Sequence, residues 1–388
     1  MPNLLLLALL ATFPSLSTDM YLPAIPTLQT IWGISLAEAN ISLVAFFISF
    51  SIFLLIHGPL SDRIGRKPVL LGGIILFIIG SLLCAASQSI TWLVGARIIQ
   101  AAGAAAAFTL SMALSKDLYD GPQRQKILAW MGVILAFCPM LAPTLGGWLL
   151  LIASWRWIFI CQATLALVSL YGSFRLKEPL KEKTSGGLLA VASRYFVIMH
   201  NTRYMIFTVA FSLMTLGHFA FIGGSADIFI TGYGVSKQAF GYYFGLIALG
   251  LLLGSFTCSR FCSGIPPLKI LTFSLLGILI TASFLVIEGG STPLLFICPM
   301  VIMSYLLGLS RPISNNMVLE EVDKYVGAAS SLLTFTIFIL AAIAMQFIAF
   351  DWPNKPAVIG KLAMFGSTVP LITMWVMNRI TKKKAVCR

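Results

Sequence analysis

The sequence predicts an all-α polytopic membrane protein whose 12 transmembrane helices form two pseudo-symmetric six-helix bundles. Apolar stretches of about 20 residues follow one another along almost the whole chain. The composition agrees, since 59% of the 388 residues are hydrophobic, only 10% are charged, and the mean hydropathy is +0.95. A water-soluble protein of this size could not cover so much apolar surface with so few charges. The longest polar interruption separates six stretches from six.

The spans follow from the length of a helix, which rises about 1.5 Å per residue and so crosses roughly 30 Å of hydrocarbon in about 20 residues. We expect spans near residues 4–24, 39–58, 69–88, 91–114, 127–150, 156–176, 204–231, 238–258, 268–288, 293–313, 326–350 and 358–379. The first stretch lacks the basic start and the cleavage site of a signal peptide, so we expect it to be retained. Trp155 and Trp157 are expected as anchors at the outer interface.

The orientation follows from the basic residues, because Lys and Arg near span ends are kept on the cytoplasmic side. With both termini in the cytoplasm of a cell (inner) membrane protein, most of the 26 Lys and Arg residues fall on that side. Arg311, at the inner end of the tenth span, is counted among them. This bias, together with contact to anionic lipid headgroups, accounts for the net charge of +13. No nucleic-acid partner is therefore expected.

The domain organisation predicted from the polar interruption is a first bundle at 1–176, a cytoplasmic linker at 177–203 and a second bundle at 204–388. A weak internal repeat supports it. STDMYL near the end of the first span recurs as SADIFI near the end of the seventh, and GPLSDRIG after the second span has a faded counterpart in GSFTCSRF after the eighth. The seven cysteines lie mostly in apolar stretches without ligand spacing, so we expect neither disulfides nor a metal site.

The segment after the second span reads GPLSDRIGRKP. Gly58 and Gly65 permit close approach and tight turning, and Asp62 can accept bonds from arginines such as Arg63 and Arg66. The alternative is a solvated cluster of charges that only sets the topology.

The fourth span contains Arg97 in the segment RIIQAAG. An arginine within hydrocarbon costs at least a few kcal/mol, so it should face a bundle interior and have a partner. Asp19, in TDMYLP, supplies the opposite charge. From the helical rise, Asp19 lies about 6 Å and Arg97 about 8 Å below the outer membrane edge, so we expect the two to pair. Such a pair can load and release one proton as water access changes; the alternative is a permanently ionised structural pair.

The fifth span contains APTLGGW, with Pro143 followed by Gly146 and Gly147. A proline bends a membrane helix, and paired glycines let a neighbouring helix pack tightly against it.

With these three motifs in this order, the chain resembles the major facilitator superfamily, and within it the twelve-helix drug:proton antiporters of the bicyclomycin/chloramphenicol-resistance (Bcr/CflA) type. The resemblance covers essentially the whole chain and implies the superfamily fold. It also implies that Asp62 and the loop arginines latch the two bundles as a gate, that Asp19 and Arg97 couple transport to protons, and that the proline-glycine segment seals the path against leakage. Ala101 and Ala142 stand where the family usually has glycine.

The substrate cavity is expected among side chains near these motifs. The candidates are Tyr21, Phe47, Gln100, Phe137, His218, Phe221, Asp227 and Tyr305. Asp227 is either a second proton or substrate site or a hydrated group at the outer interface. His218, near mid-membrane, either titrates or packs through hydrogen bonds.

The function implied is a secondary active exporter of drugs or other small amphiphiles, driven by inward proton flow through alternating access. The alternative is a proton-coupled carrier of one defined metabolite on the same fold. The sequence contains no Ser/His or metal-ligand grouping that would indicate an enzyme. It also lacks the nucleotide-binding motif GxxxxGK[ST], so we do not expect this chain to use ATP to drive transport. We expect no cofactor; the coupling ion is H⁺. The expected partners are the lipid bilayer and a small-molecule substrate, and the expected oligomeric state is a monomer.

Overall fold

The computed structural model describes residues 3–180, 188–262 and 264–386 and is all-helical within them. In this part of the chain, 12 helices are long and apolar enough to cross a membrane, which confirms the predicted number. The spans are Leu4–Trp32, Leu36–Ile64, Arg66–Ala85, Ile90–Leu118, Gly121–Ile152, Arg156–Phe174, Thr202–Gly232, Lys237–Phe261, Pro267–Glu288, Pro293–Leu319, Val326–Ile348 and Lys355–Met377.

The helices of the first half begin where the sequence supplies caps. Ser35, for example, forms a capping box with Glu38, and the Ser89 hydroxyl accepts the Trp92 N–H. These helices are Leu4–Asp19 (α1), Ile25–Trp32 (α2), Leu36–Ile64 (α3), Arg66–Ala85 (α4), Ile90–Leu118 (α5), Gly121–Ile152 (α6) and Arg156–Phe174 (α7).

The second half begins with a helix outside the spans and then a broken seventh span. Its helices are Leu188–Met199 (α8), Thr202–Leu213 (α9), Leu216–Ala226 (α10), Lys237–Phe261 (α11), Pro267–Glu288 (α12), Pro293–Leu319 (α13), Val326–Ile348 (α14) and Lys355–Val386 (α15). The seventh span consists of α9, α10 and a π-helical turn, Asp227–Gly232.

The first span is longer than predicted. After α1 the chain makes a short 3₁₀ turn, Leu22–Ala24, and continues as α2 to Trp32. Pro23 and Pro26 cannot donate backbone hydrogen bonds, which explains the break, but each stands near the start of a helical segment, where proline is tolerated. The predicted end near residue 24 was therefore wrong. Asp19, whose depth was counted back from that end, lies deeper in the span than predicted.

Trp155 corrects a second expectation. Its side chain is only 2% exposed, and its ring lies edge-on to Trp32, with centroids 5.5 Å apart. Because α2 extends to Trp32, it covers the ring that was expected at the lipid interface. Trp157 is 51% exposed.

The described chain divides into two compact units. The first unit is Met1–Val191 with Ser225–Leu246, and the second unit is Ala192–Gly224 with Ile247–Arg388. The start of α11 thus belongs with the first unit. Whether the bundles divide functionally at 176 and 204 stays a prediction, and residues 181–187 of the predicted linker lie outside the described residues.

Candidate functional site

Arg97 lies on α5 inside the first unit and is completely buried. Its Nη1 donates to the backbone oxygen of Ser17 on α1 at 2.9 Å and to Oε1 of Gln100, one turn along α5, at 2.7 Å. A buried guanidinium needs such acceptors, because water is not available to hydrogen-bond it. Arg97 therefore links α5 to α1.

Gln100 extends the hydrogen bonds to two more helices. Its Nε2 donates to the Ser81 hydroxyl on α4 and to Oε1 of Gln162 on α7, both at 2.8 Å. Gln162 in turn donates to the Leu16 backbone oxygen on α1 at 2.9 Å. The buried polar network therefore joins four helices. Sequence reasoning missed Ser81 and Gln162, since a single polar residue on an apolar helix does not reveal which neighbour it faces.

Three aromatic rings surround the Arg97 guanidinium. Its central carbon lies 4.6 Å from the ring centroid of Phe46, 4.8 Å from that of Tyr21 and 5.7 Å from that of Phe159. Ring faces attract cations by about 0.5–2 kcal/mol each. Its Nε and Nη2 make no hydrogen bond to any described residue. The positive charge is thus stabilised by two carbonyl oxygens and three rings.

The expected pairing of Asp19 with Arg97 is wrong for this structure. No ion pair within 4.0 Å joins them among the salt bridges of the described residues. The reason is helical geometry: residues 17 and 19 are two positions apart, which rotates their side chains by about 200° around α1. When the Ser17 position faces α5, the Asp19 side chain points away from it.

Asp19 lies in the middle of its span. Measured along the helical rise, it is about 20 Å from Trp32 and about 22 Å from Leu4, so the predicted depth of about 6 Å was too shallow. The side chain is 6% exposed, and its Oδ1 accepts a 3.0 Å hydrogen bond from the Thr18 hydroxyl. Asp19 is a buried carboxylate without a basic partner among the described residues.

Gly146 of the α6 motif packs directly beside Asp19. A Cβ on Gly146 would fall on the backbone oxygen of Met20, the residue that follows Asp19, and would lie 3.1 Å from Pro23. Only a glycine lets α6 approach the end of α1 this closely. The sequence predicted a tight helix contact here but could not name its partner.

Gly147, the next residue, packs against the start of α11. A Cβ there would meet the Lys237 backbone and would lie 3.2 Å from Cα of Gln238. The Lys237 ammonium donates to the Thr27 hydroxyl on α2 at 2.7 Å. These contacts place the start of α11 in the first unit.

The α3–α4 loop motif contains one tight turn. Gly65 has φ = +124°, a conformation that favours glycine, and it separates α3 from α4. Arg66 forms ion pairs with Asp62 at 2.6 Å and with Asp117 at the end of α5 at 2.8 Å, and it also donates to Ser61. Asp117 was not singled out from the sequence. Gly58 lies within α3 and makes no turn; a Cβ there would meet only Thr109 at 3.8 Å, so the expected close approach does not occur.

Glu178, which follows the end of α7, also contacts this turn. Its two carboxylate oxygens accept the backbone N–H groups of Arg66 at 2.9 Å and Lys67 at 3.0 Å. An acid at a helix N-terminus satisfies free donors and complements the helix dipole. The Lys67 ammonium donates back to the Phe174 oxygen at the end of α7 at 2.8 Å. Arg63, by contrast, is exposed.

The remaining first-unit cavity candidates have different surroundings. Tyr21 is fully buried, and its hydroxyl lies 2.9 Å from that of Ser42; Phe47 is 6% exposed, and Phe137 is 44% exposed. Asp227 begins the π-helical turn. Gln100 and Tyr21 thus lie within the packing around Arg97, and only Phe137 presents a large exposed surface.

The second unit contains the other candidates. His218 on α10 has its Nδ1 3.5 Å from the Ser304 hydroxyl on α13, and both line a small cavity with Met214, Met300 and Met303. Phe221 is fully buried with its ring 6.1 Å from that of Phe296, and Tyr305 is partly buried.

The Major Facilitator Superfamily model matches residues 7–345, and the chain therefore belongs to the major facilitator superfamily. The chain is 31% identical to an uncharacterized MFS-type transporter, YdgK, of Bacillus subtilis over 94% of each chain. It is 27% identical to a bicyclomycin resistance protein homolog of Haemophilus influenzae, over 89% of this chain and 88% of that protein.

A solved structure confirms the predicted fold class. The crystal structure of a D-xylose-proton symporter matches with a TM-score of 0.72 over 95% of this chain and 96% of that chain. At 16% identity this likeness shows the fold alone. The resemblance drawn from the motifs is confirmed by the family match and the similarity to the bicyclomycin resistance protein homolog.

Proposed function

We propose that the protein exports drugs or other small amphiphilic molecules by alternating access and couples this export to inward proton flow. The observation that carries the proposal is Asp19, a carboxylate buried at the middle of its span whose hydrogen-bond partner is the neutral Thr18. Protonation removes the cost of burying an unpaired charge, and hydration stabilises the ionised form again. A conformational change that alternately dries and wets Asp19 would therefore load and release one proton.

One feature supports export of drugs, and a second supports coupling to the proton site. The relatives include a bicyclomycin resistance protein homolog. In addition, Gly146 brings the α6 motif against the residue after Asp19. We propose that a movement of α6 displaces the backbone beside Asp19 through this contact. Arg97 holds α1 through Ser17 from the other side, and we propose that it positions Asp19 rather than neutralising it.

We propose the gate, the location and the orientation of the protein from the family motifs and the distribution of basic residues. The gate is formed by Gly58, Asp62, Arg63, Gly65 and Arg66, the cell (inner) membrane is the location, and both termini are cytoplasmic. The distribution of Lys and Arg supports that orientation. We further propose that a monomer suffices and that H⁺ is the coupling ion.

A susceptibility screen tests the proposal. An efflux-deficient host expressing the protein is exposed to phenicols, bicyclomycin, lipophilic cations and amino-acid derivatives, with and without an uncoupler. We expect resistance to several of these compounds, and we expect the uncoupler to abolish their efflux. Resistance to one compound class alone would favour the carrier of a single metabolite. Uncoupler-insensitive efflux would contradict proton coupling.

A further inference from the structure

Arg311 lies within the candidate span Pro293–Leu319, eight residues before its end, whereas the sequence predicted that this span ends near residue 313. The helix α13 does not end near residue 313 but continues to Leu319, about 12 Å beyond Arg311 along the helical rise. An arginine at this depth is costly, so it faces a protein interior or a water-filled cavity and requires a partner. The side chain is partly buried.

No carboxylate of the second unit serves as that partner. The acidic residues of this unit lie at the end of a helix or between helices, at Glu288, Glu320, Glu321, Asp323 and Asp351. Among the described residues no ion pair within 4.0 Å includes Arg311, and its guanidinium donates no hydrogen bond. Its charge acts instead on His218, which is itself a base. The spans of this unit therefore contain a cation that the protein leaves uncompensated.

Polar side chains extend from Arg311 along one face of α13. Ser304, Arg311 and Asn315 are separated by seven and four residues, which places them on one stripe of the helix. At the Ser304 end of the stripe, His218 reaches across from α10 to within 3.5 Å. The stripe thus ends at the small cavity that His218 and Ser304 share.

The cavity itself is apolar apart from these two residues. Met214, Met300 and Met303 line it together with Ile278 and Leu307. Flexible thioether side chains adapt to apolar groups of varied shape. The cavity has only about 20 Å³ of free space, so the flexible methionine side chains must rearrange to admit an apolar group larger than a water molecule.

We propose that Arg311, with His218, Ser304 and Asn315, forms a substrate subsite that binds a carboxylate, so that the preferred substrates are amphiphiles carrying an acidic group next to an apolar one. A guanidinium presents paired donors that match the two oxygens of a carboxylate. The methionine-lined cavity takes the apolar part. This inference rests on the proposed function, because it names a substrate class for the same transporter.

Binding of matched acid and ester pairs to the purified protein tests the subsite. The probes are three N-dansyl amino acids with alanine, norleucine or phenylalanine side chains, and their methyl esters, which differ only in the carboxylate. Dansyl fluorescence reports binding. We expect each acid to bind at least about tenfold more tightly than its ester. In R311Q this preference should disappear through weaker binding of the acids, and in R311K part of it should remain.

The matched control is R260Q, which removes an exposed arginine at the end of α11 in the same unit. It should keep the full preference for the acids. Equal binding of acids and esters by the wild type, no binding of the acids, or an R311Q effect of the same size on both probes would overturn the inference. Binding is measured without transport, so these outcomes leave the export proposal to the uncoupler experiment.

Discussion

Arg97 in the first unit and Arg311 in the second lie inside membrane spans, yet their surroundings differ. Arg97 is fully enclosed, bonded to Ser17 and Gln100 and surrounded by three rings. Arg311 is partly buried, donates no hydrogen bond within the described part of the chain and has a histidine as its electrostatic neighbour. The protein supplies hydrogen-bond acceptors for the Arg97 guanidinium, whereas the Arg311 guanidinium is available to a ligand. We infer that the first stabilises helix positions and that the second recognises cargo.

The largest expected effect separates these two roles by stability. R97A should lower the free energy of unfolding by about 2–5 kcal/mol, because the Ser17 and Gln100 oxygens lose their buried donor and a cavity opens. R311A should change it by less than about 1 kcal/mol, because no group among the described residues is hydrogen-bonded to its guanidinium. Denaturant titration of both variants in the same detergent measures the difference. Equal losses would remove the distinction between the two arginines.

Transport by the Arg97 variants sharpens the same comparison. R97A should be inactive, and R97K should be partly active, since an ammonium can replace one of the two hydrogen bonds. Efflux is measured at equal membrane levels of each variant. Wild-type efflux by both variants would exclude Arg97 from the mechanism.

The next effect concerns how α6 holds the first unit together. A methyl group on Gly146 meets the Met20 backbone, whereas one on Gly132 of the same helix meets nothing within 4 Å. G146A should therefore reduce efflux at least about tenfold by displacing the chain beside Asp19, and G132A should have little effect. Efflux assays of the two variants at equal expression are the measurement. Similar activity in both would show that the close approach is dispensable.

The smallest expected effect is at the loop motif. E178Q keeps the side-chain length but removes the charge at the start of α4, so we expect a loss of about 0.5–2 kcal/mol in stability. E288Q neutralises an exposed acid at the end of α12 and should lose less than about 0.5 kcal/mol. Thermal unfolding of both variants compares them. A larger loss in E288Q would contradict the capping role.

The fold could be predicted from the sequence because the number of spans follows from the length of the apolar stretches and the predicted orientation follows from the positions of Lys and Arg. Neither requires knowledge of contacts between helices. The three motifs likewise indicated the family. The partner of Arg97 was not accessible, since a rotation by two positions on α1 decides whether Asp19 or the Ser17 backbone faces it. Glu178 is distant in sequence from the loop that it caps. The end of the tenth span was predicted near residue 313, six residues too early, because polar residues near the end of α13 resemble a loop.

In the proposed mechanism, Asp19 exchanges a proton for the substrate. The direct measurement is substrate flux in reconstituted vesicles, for the wild type and D19N, with and without an imposed pH difference. In the wild type, flux should increase with the pH difference and carry protons. D19N should still exchange substrate for substrate but should not respond to the pH difference. If D19N responds to the pH difference as strongly as the wild type does, Asp19 is not the coupling group.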